Sequence, residues 1–178
     1  MTDTFDILQL GHPLLRQTAD PVENIQDTNF QNMLDKLLSF VLAKGGMGIA
    51  APQVGISQQV FILSSHPNAR YPYAPTMPSF FVINPEITSR SETTSKDWEG
   101  CLSLPGIRAL VPRHDAVKVR YKTRKGETIN TEYKGFIARV FQHEFDHLHG
   151  TVFLDRVDDT HEVMMEREWQ RQIAKYHR

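Results

Sequence analysis

The sequence predicts an α+β fold: mixed or antiparallel strands packed around a central helix, with an N-terminal and a C-terminal helix. Three observations lead there. Two stretches, 28–44 and 136–149, carry a one-face apolar stripe at helical spacing. Short apolar or alternating runs between them read as strands. The resulting order of helix, strands, helix, helix contains no regular βαβ repeat, which disfavours a doubly wound sheet. At 178 residues the chain has the length of one domain, 1–178. A chain of this size buries about 70% of its unfolded surface and needs no disulfide staples.

The elements follow in order. Residues 7–22 contain Pro13 and Pro21 and no clean period, and read as an extended segment wrapping the core. Asp27 or Thr28 caps the first helix, with Thr28 and Gln31 spaced as a capping box. Phe30, Met33, Leu34, Leu37, Leu38, Val41 and Leu42 form its stripe, and Lys44-Gly45-Gly46 ends it. Residues 46–55 read as a small-residue loop and 58–64 as a buried strand. Four prolines between Ser65 and Pro78 mark an irregular surface excursion. A short strand covers 80–84, and 87–97 fits either strand or loop. Residues 116–121 and 128–133 alternate at period two around Lys125-Gly126, a hairpin. The second helix carries Phe136, Ile137, Val140, Phe141, Phe145 and Leu148 and stops at Gly150. A third is expected over Thr160–Tyr176.

Composition excludes several functions. Twenty Lys and Arg balance 21 Asp and Glu, so the chain lacks the basic excess of a dedicated nucleic-acid binder. Its longest apolar run, Leu37 to Ala43, is interrupted by Ser39 and falls far short of the about 20 residues of a membrane helix. The first residues are acidic, without a basic leader or an Arg-rich transit segment. One cysteine, Cys101, rules out an internal disulfide and points to a reducing compartment. A bacterial type of cytoplasm and a monomer are the expectations.

The sharpest chemical signal is His143-Glu144-Phe145-Asp146-His147. Residues four apart share a helix face, so His143 and His147 can aim two imidazoles at one metal, with Glu144 beside them as proton carrier. The bland alternative is an exposed polar face opposite the Phe/Leu stripe. A catalytic metal needs a third protein ligand and an open position. Cys101, the only thiol, is the candidate, and its alternative is an inert buried cysteine.

Three segments together resemble the peptide deformylase family: Gly46-Met47-Gly48-Ile49-Ala50-Ala51-Pro52-Gln53, Glu99-Gly100-Cys101-Leu102-Ser103, and Gln142 to Gly150. They look like its GxGxAAxQ, EGCxS and QHExDHLxG signatures, and Gly11 to Arg16 resembles its N-terminal segment. The resemblance spans about residues 5 to 155. It implies a metal on Cys101, His143 and His147, with Fe(II) first and zinc, nickel or cobalt also competent. Glu144 would be the acid/base, and Gln53 with the Leu102 N–H would touch the reacting carbonyl. The substrate would be formyl-methionyl nascent peptides, with formate released. Met47, Ile49, Phe136 and Val140 would wall the methionine pocket. Gly46 and Gly48 would let the backbone approach a substrate peptide closely, their alternative being a plain helix-ending loop, and Gly100 and Arg108 would be further substrate-binding residues. Asp146 would pair with Arg113 or Arg139, Glu99 and Ser103 would orient the Cys101 loop, and the charge of Arg139 leaves the pocket boundary open.

The chemistry agrees with that assignment. A formamide is a stable amide whose hydrolysis needs activated water, a proton carrier and a donor for the oxyanion. Two other readings stand beside it. A metallopeptidase would use the same His143, Glu144 and His147, but that class takes a third His or Glu where Cys101 stands here. A silent peptide- or metal-binding module would have no use for Glu144 and Gln53. The basic C-terminal end, with Arg171, Lys175 and Arg178, reads as cations complementing a helix terminus. Docking to ribosomal RNA is its alternative.

Overall fold

The computed structural model describes residues 5–68 and 70–172. Its elements are α1 (Thr28–Lys44), β1 (Gly48–Ala50), β2 (Val60–Ser65), β3 (Met77–Arg90), β4 (Thr94–Cys101), β5 (Leu104–His114), β6 (Ala116–Lys122), β7 (Thr128–Lys134), α2 (Gly135–His147), β8 (Val163–Met165) and α3 (Glu166–Gln172). The strands form two antiparallel sheets, ordered β1-β2-β3-β6-β7 and β4-β5-β8. Among the described residues no helix is long and apolar enough to cross a membrane.

Helix α1 starts at Asp27, whose side chain accepts the Phe30 N–H at 2.9 Å. The Thr28–Gln31 box does not form. The Gln31 amide instead donates to the carbonyls of Ile25 and Arg124, tying the helix start to the β6–β7 turn. Gly45 ends the helix in the left-handed region, at φ 61°. Leu34, Leu37 and Val41 are fully buried against Ile49, Val60 and Ile62. Each buried leucine contributes about 1.5–3 kcal/mol relative to exposure.

The opposite face of the same sheet receives α2. Val60 and Ile62 of β2 point toward α1, whereas Phe61 and Leu63 pack with Ala138, Val140 and Phe141 of α2. Burial on both faces explains why β2 is a continuous apolar run rather than an alternating one. The three-stranded sheet has its own small core of Leu104, Ala109 and Val111 with Val152 and Phe153. Helix α2 touches both sheets. Its polar residues Arg139, Gln142, Glu144, Asp146 and His147 are consequently as buried as its apolar ones.

Several expectations are corrected. Residues 46–55 contain β1 and a 3-10 turn over Ala51–Val54 rather than a plain loop. The strand expected at 80–84 runs from Met77 to Arg90, and 87–97 divides into the end of β3, a turn and the start of β4. The second helix closes at His147, two residues before the expected end. The third helix does not begin at Thr160. Val163–Met165 pairs with Ile107–Ala109 along the edge of β5, and the helix starts only at Glu166. Residues 173–178, including the expected end of that helix, lie outside the described residues.

Candidate metal centre

The helical spacing of His143 and His147 brings their rings to 5.2 Å between centroids. Cys101 closes β4, paired across a tight turn with Leu104. Its Sγ lies 3.3 Å from His147 Nε2. One donor atom from each of the three residues falls within 4.8 Å of the others, among the described residues the one such group of three. A thiolate and two imidazoles with an open fourth position suit zinc and other divalent transition metals. The surroundings favour the thiolate. Burial alone would push the Cys101 thiol up, but the adjacent His147 and His143 hold it well below its usual range. The Gln53 amide and the Ser103 N–H also donate to Sγ, at 3.3 and 3.4 Å.

A buried charge network holds these groups in place. His143 Nδ1 meets Glu99 Oε2 at 2.9 Å, which leaves Nε2 as its free nitrogen. Glu99 also accepts both Arg113 Nε (2.9 Å) and Nη2 (3.0 Å) and Arg139 Nη1 (2.8 Å). Burial would raise the Glu99 carboxyl, but Arg113 and His143 outweigh it and keep the group ionised. Arg113 continues to Asp146 at 2.6 Å, and Asp146 accepts a second arginine, Arg156, at 2.7 Å. Of the two partners expected for Asp146, the structure supplies Arg113 and not Arg139. Arg139 instead donates to Glu99 and to the carbonyls of Val111 and Ser95.

Glu144 stands beside the three candidate ligands, 4% exposed, and its Oε2 has no hydrogen-bond partner. Burial pushes its carboxyl up to about 7, against the lowering effect of the two histidines. A Cβ on Gly48 would sit 2.5 Å from Glu144 Oε1, so β1 passes this carboxylate at a distance only glycine allows. Gln53 is oriented from behind. Its Oε1 accepts the Ala50 N–H at 2.9 Å, which turns the NH2 toward Cys101 and Ser103.

A cavity of about 320 Å³ opens over these groups. Met47, Gly48, Gln53, Gly100, Cys101, Leu102, Arg108, Phe136, Val140, His143 and Glu144 all line it, whereas His147 is fully buried and is not among the lining residues. Two expected contacts are different. Ile49 does not line the cavity: strand alternation turns its side chain into the core against α1. Arg108 lines it, but its guanidinium is already engaged by Glu166 and Tyr71.

Comparison with known proteins identifies one family. The model of the polypeptide deformylase family matches residues 4–163. The chain belongs to that family. It is 48% identical over 169 residues to peptide deformylase 2 of Nostoc sp., covering 95% of this chain and 94% of the relative. It is 44% identical to peptide deformylase 2 of Shewanella oneidensis, covering 91% and 89%. A Met-Ala-Ser-bound crystal structure of a class I type b peptide deformylase from Acinetobacter baumannii superposes with a TM-score of 0.85 at 40% identity, covering 88% of this chain and all of that one. Peptide deformylases remove the N-formyl group from nascent peptides and depend on a metal.

Sequence reasoning missed three residues, two that line this deformylase cleft and one, Arg156, that supports the charge network behind it. Arg156 has no local signal, because its partner Asp146 is ten residues away across a turn. Tyr71 lies in the proline-rich excursion and Glu166 in the last helix, both remote in sequence from Arg108.

Proposed function

We propose that this chain hydrolyses the formamide of formyl-methionyl nascent peptides, with Cys101, His143 and His147 holding one divalent metal and Glu144 carrying the proton. The observation that carries this reading is the cluster of three metal-competent donors, two of which, Cys101 and His143, line one cavity together with Glu144 and Gln53. A divalent ion held there would supply Lewis-acid activation of water near neutral pH.

The chain's own residues perform the remaining tasks. Glu144 Oε2, buried and without a partner, can take a proton from the attacking water and return it to the leaving amine. Gln53, fixed through Ala50, would offer the oxyanion an N–H that in the structure is directed at Cys101 or Ser103; losing such a donor costs about 2.7–4 kcal/mol of barrier. The Leu102 N–H is the second donor in this reading. Gly48 and Gly100 leave room for the peptide backbone, while Met47, Phe136 and Val140 wall the methionine side chain. Glu99, fixed by two arginines, holds His143 in the orientation a ligand needs.

Fe(II) is the ion we assign in the cell; zinc, nickel or cobalt can take the same donors. The single thiol supports a reducing compartment, and we place the chain as a monomer in a bacterial cytoplasm. The end of the chain after α3, with Lys175 and Arg178, lies outside the described residues. Salt-sensitive ribosome binding that disappears on deleting 170–178 would give it a docking role.

The test is formate release from formyl-Met-Ala-Ser by protein purified without oxygen, with bound metal quantified in the same sample. Turnover should vanish with a chelator and return with Fe(II) or nickel. Glu144→Gln should keep the metal and lose about 10²–10⁴-fold in kcat. A fully loaded site that releases no formate would refute the reading.

A further inference from the structure

One wall of the cleft is an arginine whose charge is consumed inside the protein. Arg108, on β5, is only 3% exposed. Its Nε and Nη2 donate to the two carboxylate oxygens of Glu166, at 2.5 and 3.2 Å. Its Nη1 donates to the Tyr71 hydroxyl at 3.0 Å. The guanidinium lies 5.0 Å over the Trp169 ring. It rests on Gly100, where an added Cβ would fall 2.5 Å from Nη1, one residue from Cys101. Three remote segments thus converge here: the excursion before β3, β5, and α3.

Arg108 and Glu166 both line the cavity. A guanidinium beside a peptide-binding cleft is a strong receptor for carboxylates, because its fork fits two oxygens at once. Here the fork is filled by an internal carboxylate. Burial would raise the Glu166 carboxyl, but the Arg108 guanidinium holds it below its usual range, so the pair stays charged and mutually cancelled.

We propose that Glu166 is a specificity-determining residue: by neutralising Arg108 it lets the cleft accept peptides whatever the charge behind their first residue. A bare Arg108 would select acidic sequences, which an enzyme acting on many different nascent chains cannot do. The inference rests on the formyl-peptide reading. It makes α3 part of the cleft wall.

The test uses the metal-loaded full chain and pairs of unformylated peptides, Met-Ala-Asp-Ala against Met-Ala-Asn-Ala and Met-Asp-Ala-Ala against Met-Asn-Ala-Ala. Tryptophan fluorescence reads the Kd, since Trp98 and Trp169 lie at this wall, 6.4 Å apart. The native chain should bind each pair equally within about twofold. Glu166→Gln should bind the Asp member of at least one pair about tenfold more tightly, the scale of one charge-assisted hydrogen bond. That preference should disappear in the Arg108→Gln/Glu166→Gln double variant. Arg108→Gln alone bares Glu166 and should shift preference toward Lys over Gln at the same position, an independent check if Glu166→Gln folds poorly. Unchanged ratios in the folded single variants, or no peptide binding at all, overturn the proposal. Formate release by the native chain is scored separately: a charge shift without formate sinks the deformylase reading alone, and formate without a charge shift sinks this one alone.

Discussion

Replacing Gly48 with alanine tests the role of Glu144 without touching Glu144. The new Cβ would lie 2.5 Å from Oε1 and 2.8 Å from Cδ and Cγ of that side chain, whereas ordinary contact begins at 3.4 Å. Something must give by about 0.9 Å. Gly48 is not among the glycines with positive φ, so alanine meets no backbone penalty there. Strand β1 is poorly placed to retreat. Gly48 pairs with Leu63, and Ile49 and Ala50 are fully buried on opposite faces of the sheet. The carboxylate is therefore the group that moves. Misplacing a reacting group by about 1 Å costs on the order of 10²-fold in rate. Gly48→Ala should lose about that factor in kcat for formate release, with metal content unchanged. If β1 yielded instead, overpacking would cost about 1–3 kcal/mol of stability and leave kcat near native. A lowered melting temperature with native kcat would refute the claim that Gly48 sets the position of Glu144.

Two further variants probe the parts that support the site. Glu99→Gln leaves Arg113 and Arg139 without their shared buried counter-charge and weakens the hold on His143. Metal affinity should fall about 10–100-fold in a competition titration, and stability by about 3–5 kcal/mol in urea unfolding. Leu37→Ala opens a cavity between α1 and the large sheet and should cost about 2–5 kcal/mol, or roughly 2–4 °C of melting temperature per kcal/mol. Its kcat per folded molecule should stay native, because Leu37 is not among the residues that line the cleft; a matching loss of kcat would show that the α1 face and the site are coupled.

Much of the fold was legible because its signals are local. The stripe from Phe30 to Val41 is the buried face of α1, and the alternation either side of Lys125-Gly126 is the β6–β7 hairpin. The same locality brought His143, Glu144 and His147 together, since four residues make one helical turn. What escaped was decided by partners distant in the chain. A three-residue strand has too short a pattern to recognise: β1 exists because β2 offers it an edge, and β8 because β5 does. Edge pairing also shortened the third helix from its N-terminal side.

Charge pairing was the least legible part. Arg108, Arg139 and Asp146 were each visible as residues near the motifs, but nothing local says where a long flexible side chain ends. Arg139 adjoins a pocket-lining position in sequence, yet its guanidinium goes to Glu99 and two carbonyls. The sequence by itself determined the fold class, the candidate ligands and the candidate proton carrier, because periodicity and motif spacing are properties of the chain. Only the tertiary structure decided which carboxylate answers which arginine, that Ile49 faces the core, and that the last helix reaches the cleft. Those outcomes depend on desolvation: a buried charge must find a partner, and the partner is whichever group the packing of two sheets and three helices brings within reach.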